Sequence, residues 1–288
     1  MAERRRLNTT LVRATELAAH LNDSNWRIFD CRHDLANVAY GSQAYARGHI
    51  PGALFLHLDR DLSGTKTGAN GRHPLPEASA FAATLSRCGV GADTQVVAYD
   101  NEGGSFAARL WWMLRWLGHK RVAVLDGGLA AWKRAKLPLQ VEVPDVQPAN
   151  FQPSHGEQPV GVEDVLANLA SARLLLIDAR IGERYRGEME TIDPVAGHIP
   201  GALNRFYADN LDDDECFFKP AEQLAADFAP LIKGRDPHSV VQSCGSGVTA
   251  CHNLLAMEIA GLSGSRLYPG SWSEWCADPA RPIAVGDR

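Results

Sequence analysis

The sequence predicts an α/β protein of two similar domains, each a mainly parallel sheet with helices on both faces. Residues 12–32 align with residues 160–180 without a gap, and each segment is a helical pattern followed by an apolar strand ending in Asp-x-Arg. Residues 48–54 and 197–203 both read GHIPGAL. The strand-like runs are continuously apolar and alternate with helix-like runs, which is typical of a parallel sheet covered on both faces. A repeat of this length is domain-sized and indicates a duplication.

The elements follow one another in a similar order in both halves. Apolar, β-branched runs predict strands, and runs with helical spacing predict helices. The predicted strands lie at residues 27–29, 95–99, 122–125 and 239–242, and the predicted helices include 107–117 and 248–260. Prolines crowd the join between the halves. We therefore expect domains at residues 8–140 and 159–288, joined by an extended linker at 141–158.

Composition limits the partners of the protein. The 288 residues are 45% hydrophobic and 22% charged, and the net charge is −5. These values are those of a globular protein that offers no broad basic face, so we expect neither nucleic acid nor a membrane as a partner. No apolar run approaches the ~20 residues of a membrane span, and no signal-peptide pattern opens the sequence. A cytoplasmic location is expected.

The cysteines are scattered and show no metal-binding spacing. No C-x-x-C pair occurs among the six, which are Cys31, Cys88, Cys216, Cys244, Cys251 and Cys276. In a long chain without a secretory signal, such cysteines are expected to be free thiols. We predict no structural zinc, no other metal and no cofactor.

One cysteine stands in a segment typical of a nucleophile. Residues 243–250 read SCGSGVTA and follow the predicted strand at 239–242, just before the predicted helix. This order places the Cys244 thiol at a helix N-terminus, within a turn formed by Gly245, Gly247, Val248 and Thr249. The helix dipole and the inward N–H groups of such a turn favour a thiolate over a thiol. The sequence therefore predicts a nucleophilic sulfur at Cys244.

The two halves differ at the position of this cysteine. In the alignment of strands, Asp100 follows the run VVAY in the first half, where Cys244 follows VVQS in the second. A carboxylate cannot form a persulfide or a thioester. Only the C-terminal copy is therefore expected to perform covalent sulfur chemistry, and the N-terminal copy is expected to be inactive.

These features together resemble the tandem-domain rhodaneses. The resemblance rests on the two GHIPGA copies, the Asp100/Cys244 difference and the closing GSWSEW at residues 270–275, and it spans roughly residues 8–285. The loop is similar to that of the mercaptopyruvate branch of the family. The resemblance implies a monomer without a cofactor that moves sulfane sulfur through a persulfide on Cys244. The donor would be a small anion, 3-mercaptopyruvate or thiosulfate, and the acceptor cyanide, a thiol or a reduced thioredoxin-like protein.

The resemblance also implies roles for particular residues. Arg184 matches the first of two arginines that hold the carboxylate of the donor, a task suited to the bidentate guanidinium. The second is expected shortly before the second GHIPG, but residues 190–196 read ETIDPVA, and Arg186 is the candidate to replace it. A proton relay would join Ser246, His49 and an acid that no motif places, with Asp34 and Asp59 as candidates.

The same loop partly fits the motifs of other classes of protein. GSGVTA fits a dinucleotide-binding fingerprint, but the next strand-like segment, RLY at residues 266–268, lacks the acid that such a site needs. A cysteine phosphatase would need arginine where Ala250 stands. A non-enzymatic rhodanese-type binding or regulatory module remains open, although the presence of Cys244 favours an enzyme. The donor also remains open: the missing second arginine weakens the case for mercaptopyruvate, whereas the loop lacks the basic residues common in thiosulfate-type loops.

Overall fold

The computed structural model describes residues 8–212 and 216–287 and divides the chain into two units. One unit comprises the chain up to Asp61 together with Glu77–Gly156, and the other comprises Leu62–Pro76 and the chain from Glu157 onward. The sequence placed residues 62–76 inside the first domain. The structure differs because this segment hydrogen-bonds within the second unit; for example, the backbone N–H of Arg72 donates to Ser273 Oγ at 2.9 Å.

The first unit contains a five-stranded parallel sheet of order β1-β5-β4-β2-β3. Its central strands β4 and β5 are buried along their whole length, as expected for a sheet covered on both faces. The elements are β1 (Leu11–Val12), α1 (Ala14–Ala19), β2 (Trp26–Asp30), α2 (Tyr40–Arg47), β3 (Ala53–Phe55), α3 (Leu58–Asp61), α4 (Ala78–Arg87), β4 (Gln95–Tyr99), α5 (Ala107–Trp116), β5 (Val122–Leu125) and α6 (Gly128–Arg134).

The second unit contains a four-stranded parallel sheet of order β7-β6-β8-β9. Strand β8 lies in the interior of this sheet and leads directly to Cys244. Two short 3₁₀ helices, Tyr207–Asn210 and Pro237–Ser239, complete the unit. The other elements are α7 (Val162–Ser171), β6 (Leu175–Asp178), α8 (Gly182–Arg186), β7 (Leu203–Asn204), α9 (Ala221–Ile232), β8 (Val240–Ser243), α10 (Ala250–Ile259), β9 (Arg266–Leu267) and α11 (Ser271–Trp275).

The repeated Asp-x-Arg and GHIPG motifs contact each other in each unit. Arg32 donates to Asp30 and, through Nη2 at 2.8 Å, to the carbonyl oxygen of Gly48, the first residue of its GHIPG copy. Arg180 makes the same bonds in the second unit, to Asp178 and at 2.8 Å to the carbonyl oxygen of Gly197. These buried charge pairs tie the carboxyl end of a central strand to the following turn. The two motifs therefore form the same hydrogen-bonded connection in both units.

The α/β fold class and the predicted strands are confirmed. The strands at 95–99 and 122–125 have the predicted bounds, and the helix predicted at 248–260 begins two residues later, at Ala250. The segment predicted as an extended linker belongs to the first unit as far as Gly156. Its backbone pairs there: the N–H of Ala149 donates to Ser86 O at 2.9 Å and that of Ser154 to Leu117 O at 3.0 Å. Within the described ranges, no helix has both the length and the apolar character needed to cross a bilayer.

Candidate active site

The loop after strand β8 places the Cys244 thiol at the amino end of helix α10. The backbone N–H of Gly247 donates to Cys244 Sγ, with 3.1 Å between nitrogen and sulfur. Val248 is buried beside it, and Thr249 directly precedes the helix. Inward N–H groups and the positive end of a helix attract anions, so the loop is built as an anion cradle around one sulfur atom. The sulfur is sheltered, since Cys244 is only 2% exposed.

Glycine occurs at two positions of the loop for different structural reasons. Gly247 has φ = +74°, and a Cβ built on it would lie 2.3 Å from the carbonyl oxygen of Pro269. Only glycine fits there, because both the backbone conformation and the space exclude a side chain. A Cβ on Gly245 would lie 2.8 Å from Arg72 Nη2. Gly245 therefore leaves room for a guanidinium next to the thiol.

Helix α11 holds the loop from the other side. The backbone N–H of Cys244 donates to Ser271 Oγ at 3.1 Å. The N–H of Trp272 donates to Cys244 O at 3.0 Å and the N–H of Ser273 to Gly245 O at 2.9 Å. The closing GSWSEW motif is thus a clamp on the cysteine loop. Ser271 was not singled out by the sequence, because a serine at a helix start is usually no more than a cap.

A histidine from the segment Leu62–Pro76 pairs with the loop serine. His73 Nδ1 lies 2.7 Å from Ser246 Oγ, and both residues are buried. The two side chains belong to the same unit although 173 positions separate them in sequence. A histidine at hydrogen-bond distance from a hydroxyl is the arrangement needed to move a proton. The only local sign of this residue in the sequence is the segment GRHPLP at 71–76, which has no counterpart in the second half and does not by itself indicate a site.

His49, the histidine expected in this relay, is placed elsewhere. Its Nδ1 lies 2.9 Å from Tyr45 O and its Nε2 lies 3.2 Å from Glu142 O, both within the first unit. Its ring stacks on that of Tyr45 at 3.8 Å. His198, in the second GHIPG copy, has the same surroundings, with Nδ1 at 2.8 Å from Tyr185 O and the rings 3.8 Å apart. Both copies share this arrangement, and the histidine that the structure places beside Ser246 is His73.

Two guanidinium groups lie next to the loop. Arg184 forms a bidentate pair with Glu190, with distances between 2.8 and 3.2 Å, and its Nη2 lies 3.1 Å from Asp193 Oδ2. Arg72 Nη1 donates to the other oxygen of Asp193. Burial raises the pKa of the Asp193 carboxyl, against the opposing effect of Arg72. The guanidinium that contacts Asp193 together with Arg184 is therefore that of Arg72, which comes from the GRHPLP segment rather than from the sequence before the second GHIPG.

Arg186, the residue expected as the second arginine, is not part of this group. Its Nε and Nη2 bind the two oxygens of Glu188 at 2.9 and 2.8 Å, and its side chain is 30% exposed. A surface pair of this kind contributes little. Arg180 is buried, and its Nη1 lies 3.5 Å from Glu190 Oε2, so it belongs to the same group of ion pairs as Arg184.

The first unit binds its own carboxylate where the second holds its thiol. Asp100 Oδ1 accepts the backbone N–H groups of Glu102 and Gly104 at 2.8 and 2.9 Å, and Oδ2 accepts those of Phe106 and Ala107 at 2.8 and 2.9 Å. Four backbone N–H groups thus bind an anion in the first copy, at the position where the N–H of Gly247 donates to Cys244 Sγ in the second. In the first copy, a side chain of the protein fills this position permanently.

Three of the other cysteines have a raised thiol pKa, which disfavours the thiolate form that a nucleophile needs. Burial and the charge of Asp30 raise the pKa of Cys31 well above its usual range, and burial raises the pKa of Cys276 to about 11 and that of Cys88 to a lesser degree. A thiol with a raised pKa is protonated near neutral pH and reacts slowly.

The described residues contain one group with the composition of a metal site. His33 Nε2 and His57 Nδ1 lie 3.9 and 4.0 Å from Asp59 Oδ2. Tetrahedral ligands around zinc lie about 3.3 Å apart, given metal–ligand bonds near 2.0 Å. In addition, His57 Nδ1 already accepts the backbone N–H of Asp59 at 3.1 Å. The group would therefore have to contract and lose this bond to hold a metal.

Asp34 is the other acid considered for the proton relay. Its side chain accepts the backbone N–H of Ala36 at 2.8 Å.

Known proteins resemble this chain over nearly its whole length. A family model for the rhodanese-like domain matches the chain twice, at residues 13–135 and 161–278. The chain is 48% identical over 284 residues to the probable 3-mercaptopyruvate sulfurtransferase of Pseudomonas aeruginosa, covering 96% of this chain and 98% of that protein. It is 38% identical over 281 residues to the putative thiosulfate sulfurtransferase SseB of Mycobacterium tuberculosis, covering 96% and 97%. The 3-mercaptopyruvate sulfurtransferase from Leishmania major superposes with a TM-score of 0.84 at 31% identity, over 94% of this chain and 75% of that one. The chain belongs to the rhodanese-like family, carries its domain twice, and has sulfurtransferases as full-length relatives.

Proposed function

We propose that this sulfurtransferase takes sulfur from 3-mercaptopyruvate, holds it as a persulfide on Cys244 and passes it to a thiophilic acceptor. The observation that carries the proposal is the convergence within one unit of the cradled sulfur, the Ser246–His73 pair and two arginines. Thiosulfate is a second candidate donor, favoured by the similarity to the putative thiosulfate sulfurtransferase of Mycobacterium tuberculosis.

In the loading step, the thiolate of Cys244 attacks the sulfur of the donor. A sulfur–sulfur bond forms, and the carbon–sulfur bond of mercaptopyruvate breaks with its electron pair going to the pyruvate enolate. The outer sulfur keeps its hydrogen, so the step needs no added oxidant. The N–H cradle that receives the thiolate also suits the persulfide anion.

The Ser246–His73 pair supplies the proton that the leaving enolate needs. With Ser246 Oγ and His73 Nδ1 2.7 Å apart, the hydroxyl can donate its proton as the enolate leaves and regain one from the imidazole. Both groups are buried, which separates this proton transfer from bulk water.

The guanidinium groups of Arg72 and Arg184 orient the donor. They lie on the Gly245 side of the loop, at 2.8 and 3.7 Å from the position of a Cβ on that residue. Guanidinium groups pair with carboxylates in fixed geometry, so the sulfur of a carboxylate donor can be held toward Cys244.

In the second step an acceptor removes the outer sulfur. Cyanide, a small thiol or a reduced thioredoxin-like protein attacks that sulfur, and the electron pair of the sulfur–sulfur bond returns to Cys244. With cyanide the product is thiocyanate, and the enzyme regains its starting state.

The persulfide can be tested by mass. After incubation with 3-mercaptopyruvate and without an acceptor, the intact protein should gain about 32 Da, and a thiol reductant should remove the gain. Cys244→Ser should show neither the gain nor turnover. Cys216→Ser, which alters an exposed thiol, is the matched control and should load like the wild type. Turnover by Cys244→Ser, or loading on another cysteine, would contradict the proposal.

A further inference from the structure

The two arginines that face the donor are already bridged by a carboxylate of the protein. Asp193 gives one oxygen to each: Oδ1 accepts from Arg72 Nη1, and Oδ2 accepts from Arg184 Nη2 at 3.1 Å. The bridge is well sheltered, since the Asp193 side chain is 3% exposed, compared with 22% for Arg72 and 13% for Arg184. A carboxylate between two guanidiniums is the arrangement expected of a bound anionic donor.

This bridge lies beside the reacting sulfur. Around the Cβ position of Gly245, the residue after Cys244, Arg184 Nη1 and Asp193 Oδ2 each lie at 3.7 Å. Asp193 therefore occupies the space in which the donor's negative group would meet the same two arginines.

The positive and negative charges around the loop also cancel. The connected ion pairs contain three guanidiniums, Arg72, Arg180 and Arg184, and three carboxylates, Asp178, Glu190 and Asp193. A balanced site gives little net attraction to a second negative charge on a donor. Without Asp193 the group would carry one positive charge in excess.

We propose that the Asp193 carboxylate occupies the position on Arg72 and Arg184 where the negative group of the donor binds. We further propose that its charge selects singly charged thiol donors over doubly charged donors such as thiosulfate. The carboxylate of a 2-oxo acid exchanges with that of Asp193 on Arg72 and Arg184. Because a dianion feels twice the potential of a monoanion, the charge of Asp193 penalises thiosulfate twice as strongly in free energy. The inference rests on the proposed function and adds a specificity-determining residue to it.

The test compares the two donors on Asp193→Asn, which keeps the shape and removes the charge. kcat/KM is measured for 3-mercaptopyruvate and thiosulfate at pH 6.5, where a thiol remains protonated, with cyanide as the common acceptor. If kcat/KM for mercaptopyruvate rises about threefold, that for thiosulfate should rise about ninefold, which is the square expected for a double charge. Glu188→Gln is the control, because it removes a charge from the same segment but contacts Arg186 rather than Arg72 or Arg184.

The outcomes separate the two proposals. An unchanged ratio of the two kcat/KM values in Asp193→Asn would overturn the selectivity role, and so would a fall for both donors, which would mean that Asp193 only positions the arginines. Absence of sulfur loading in the wild type with either donor would instead contradict the proposed function. A thermal melt confirms folding. Asp193→Ser, which also removes the charge, replaces Asp193→Asn if the asparagine variant is unfolded.

Discussion

The backbone N–H of Cys244 donates to Ser271 Oγ at 3.1 Å, although Ser271 adopts φ = +53° to receive it. A non-glycine residue in this region carries a conformational cost of roughly 1 kcal/mol. Ser271 Oγ also lies 2.9 Å from the carbonyl oxygen of Tyr268, to which it donates. The two bonds fix the position of the hydroxyl, and the hydroxyl fixes the start of the cysteine loop.

Replacing Ser271 should separate these contributions. Ser271→Ala loses the hydroxyl, keeps the strained φ and leaves the buried N–H of Cys244 without its acceptor, so we expect a loss of about 1–3 kcal/mol in unfolding free energy. Ser271→Gly loses the same hydrogen bond but adopts positive φ without strain, so it should be about 1 kcal/mol more stable than the alanine variant. Urea titration of the three proteins gives the comparison. Equal stability of Ser271→Ala and the wild type would contradict the role of this hydrogen bond.

The sequence predicts the strand and the cysteine loop of the site better than the residues that contact this loop. Strand β8, the thiol at its end and Asp100 in the other copy are read directly, because continuous apolar strands and short turns are local patterns. His73 and Arg72 are not, because their roles arise from packing of one segment against a unit formed by residues far along the chain. A motif shared by both copies points to His49, whereas we propose covalent chemistry for only one copy. A residue specific to that chemistry is therefore expected outside the repeat.

The contrast between His73 and His49 gives the next prediction. His73→Asn should lower kcat for 3-mercaptopyruvate by about 10²–10⁴-fold, the range for loss of a general acid–base group. It should leave unfolding free energy nearly unchanged if the asparagine keeps a hydrogen bond to Ser246. His49→Asn is the matched variant: it breaks the stack on Tyr45 and should lower stability while preserving kcat per folded enzyme. Steady-state kinetics and thermal melts of both variants decide the assignment, and the reverse pattern would restore His49 to the relay.

Removing the carboxylate of Asp100 tests the idea that the first copy is a scaffold. Asp100→Ala leaves four backbone N–H groups without their acceptor: those of Gly104, Phe106 and Ala107, whose bonds are buried, and that of Glu102, whose bond is partly buried. We therefore expect a loss of about 3–5 kcal/mol in unfolding free energy. Asp93→Ala removes an exposed carboxylate of the same unit, paired with Arg121 at 3.2 Å, and should change stability by less than about 0.5 kcal/mol. The folded Asp100→Ala protein should still load sulfur on Cys244. Loss of loading in a protein that remains folded would show that the first copy takes part in the chemistry.

Buried histidines predict that stability falls on the acid side of neutrality. Burial lowers the pKa of His119 and of His198, so their neutral forms are favoured in the folded protein. Below the unfolded-state pKa of about 6.5, the unfolded chain binds protons that the folded protein does not, so stability is lost as pH falls from there toward the folded pKa. Thermal melts between pH 7.5 and 5, values spanning about one unit or more on each side of that pKa, should show a falling melting temperature. His119→Gln removes one titrating group, whose ring lies 2.9 Å from Thr94 O through Nε2, and should make the fall shallower while lowering stability at pH 7.5, where that histidine is neutral. A melting temperature that drops equally steeply in this variant and the wild type would exclude His119 as a source of the acid sensitivity.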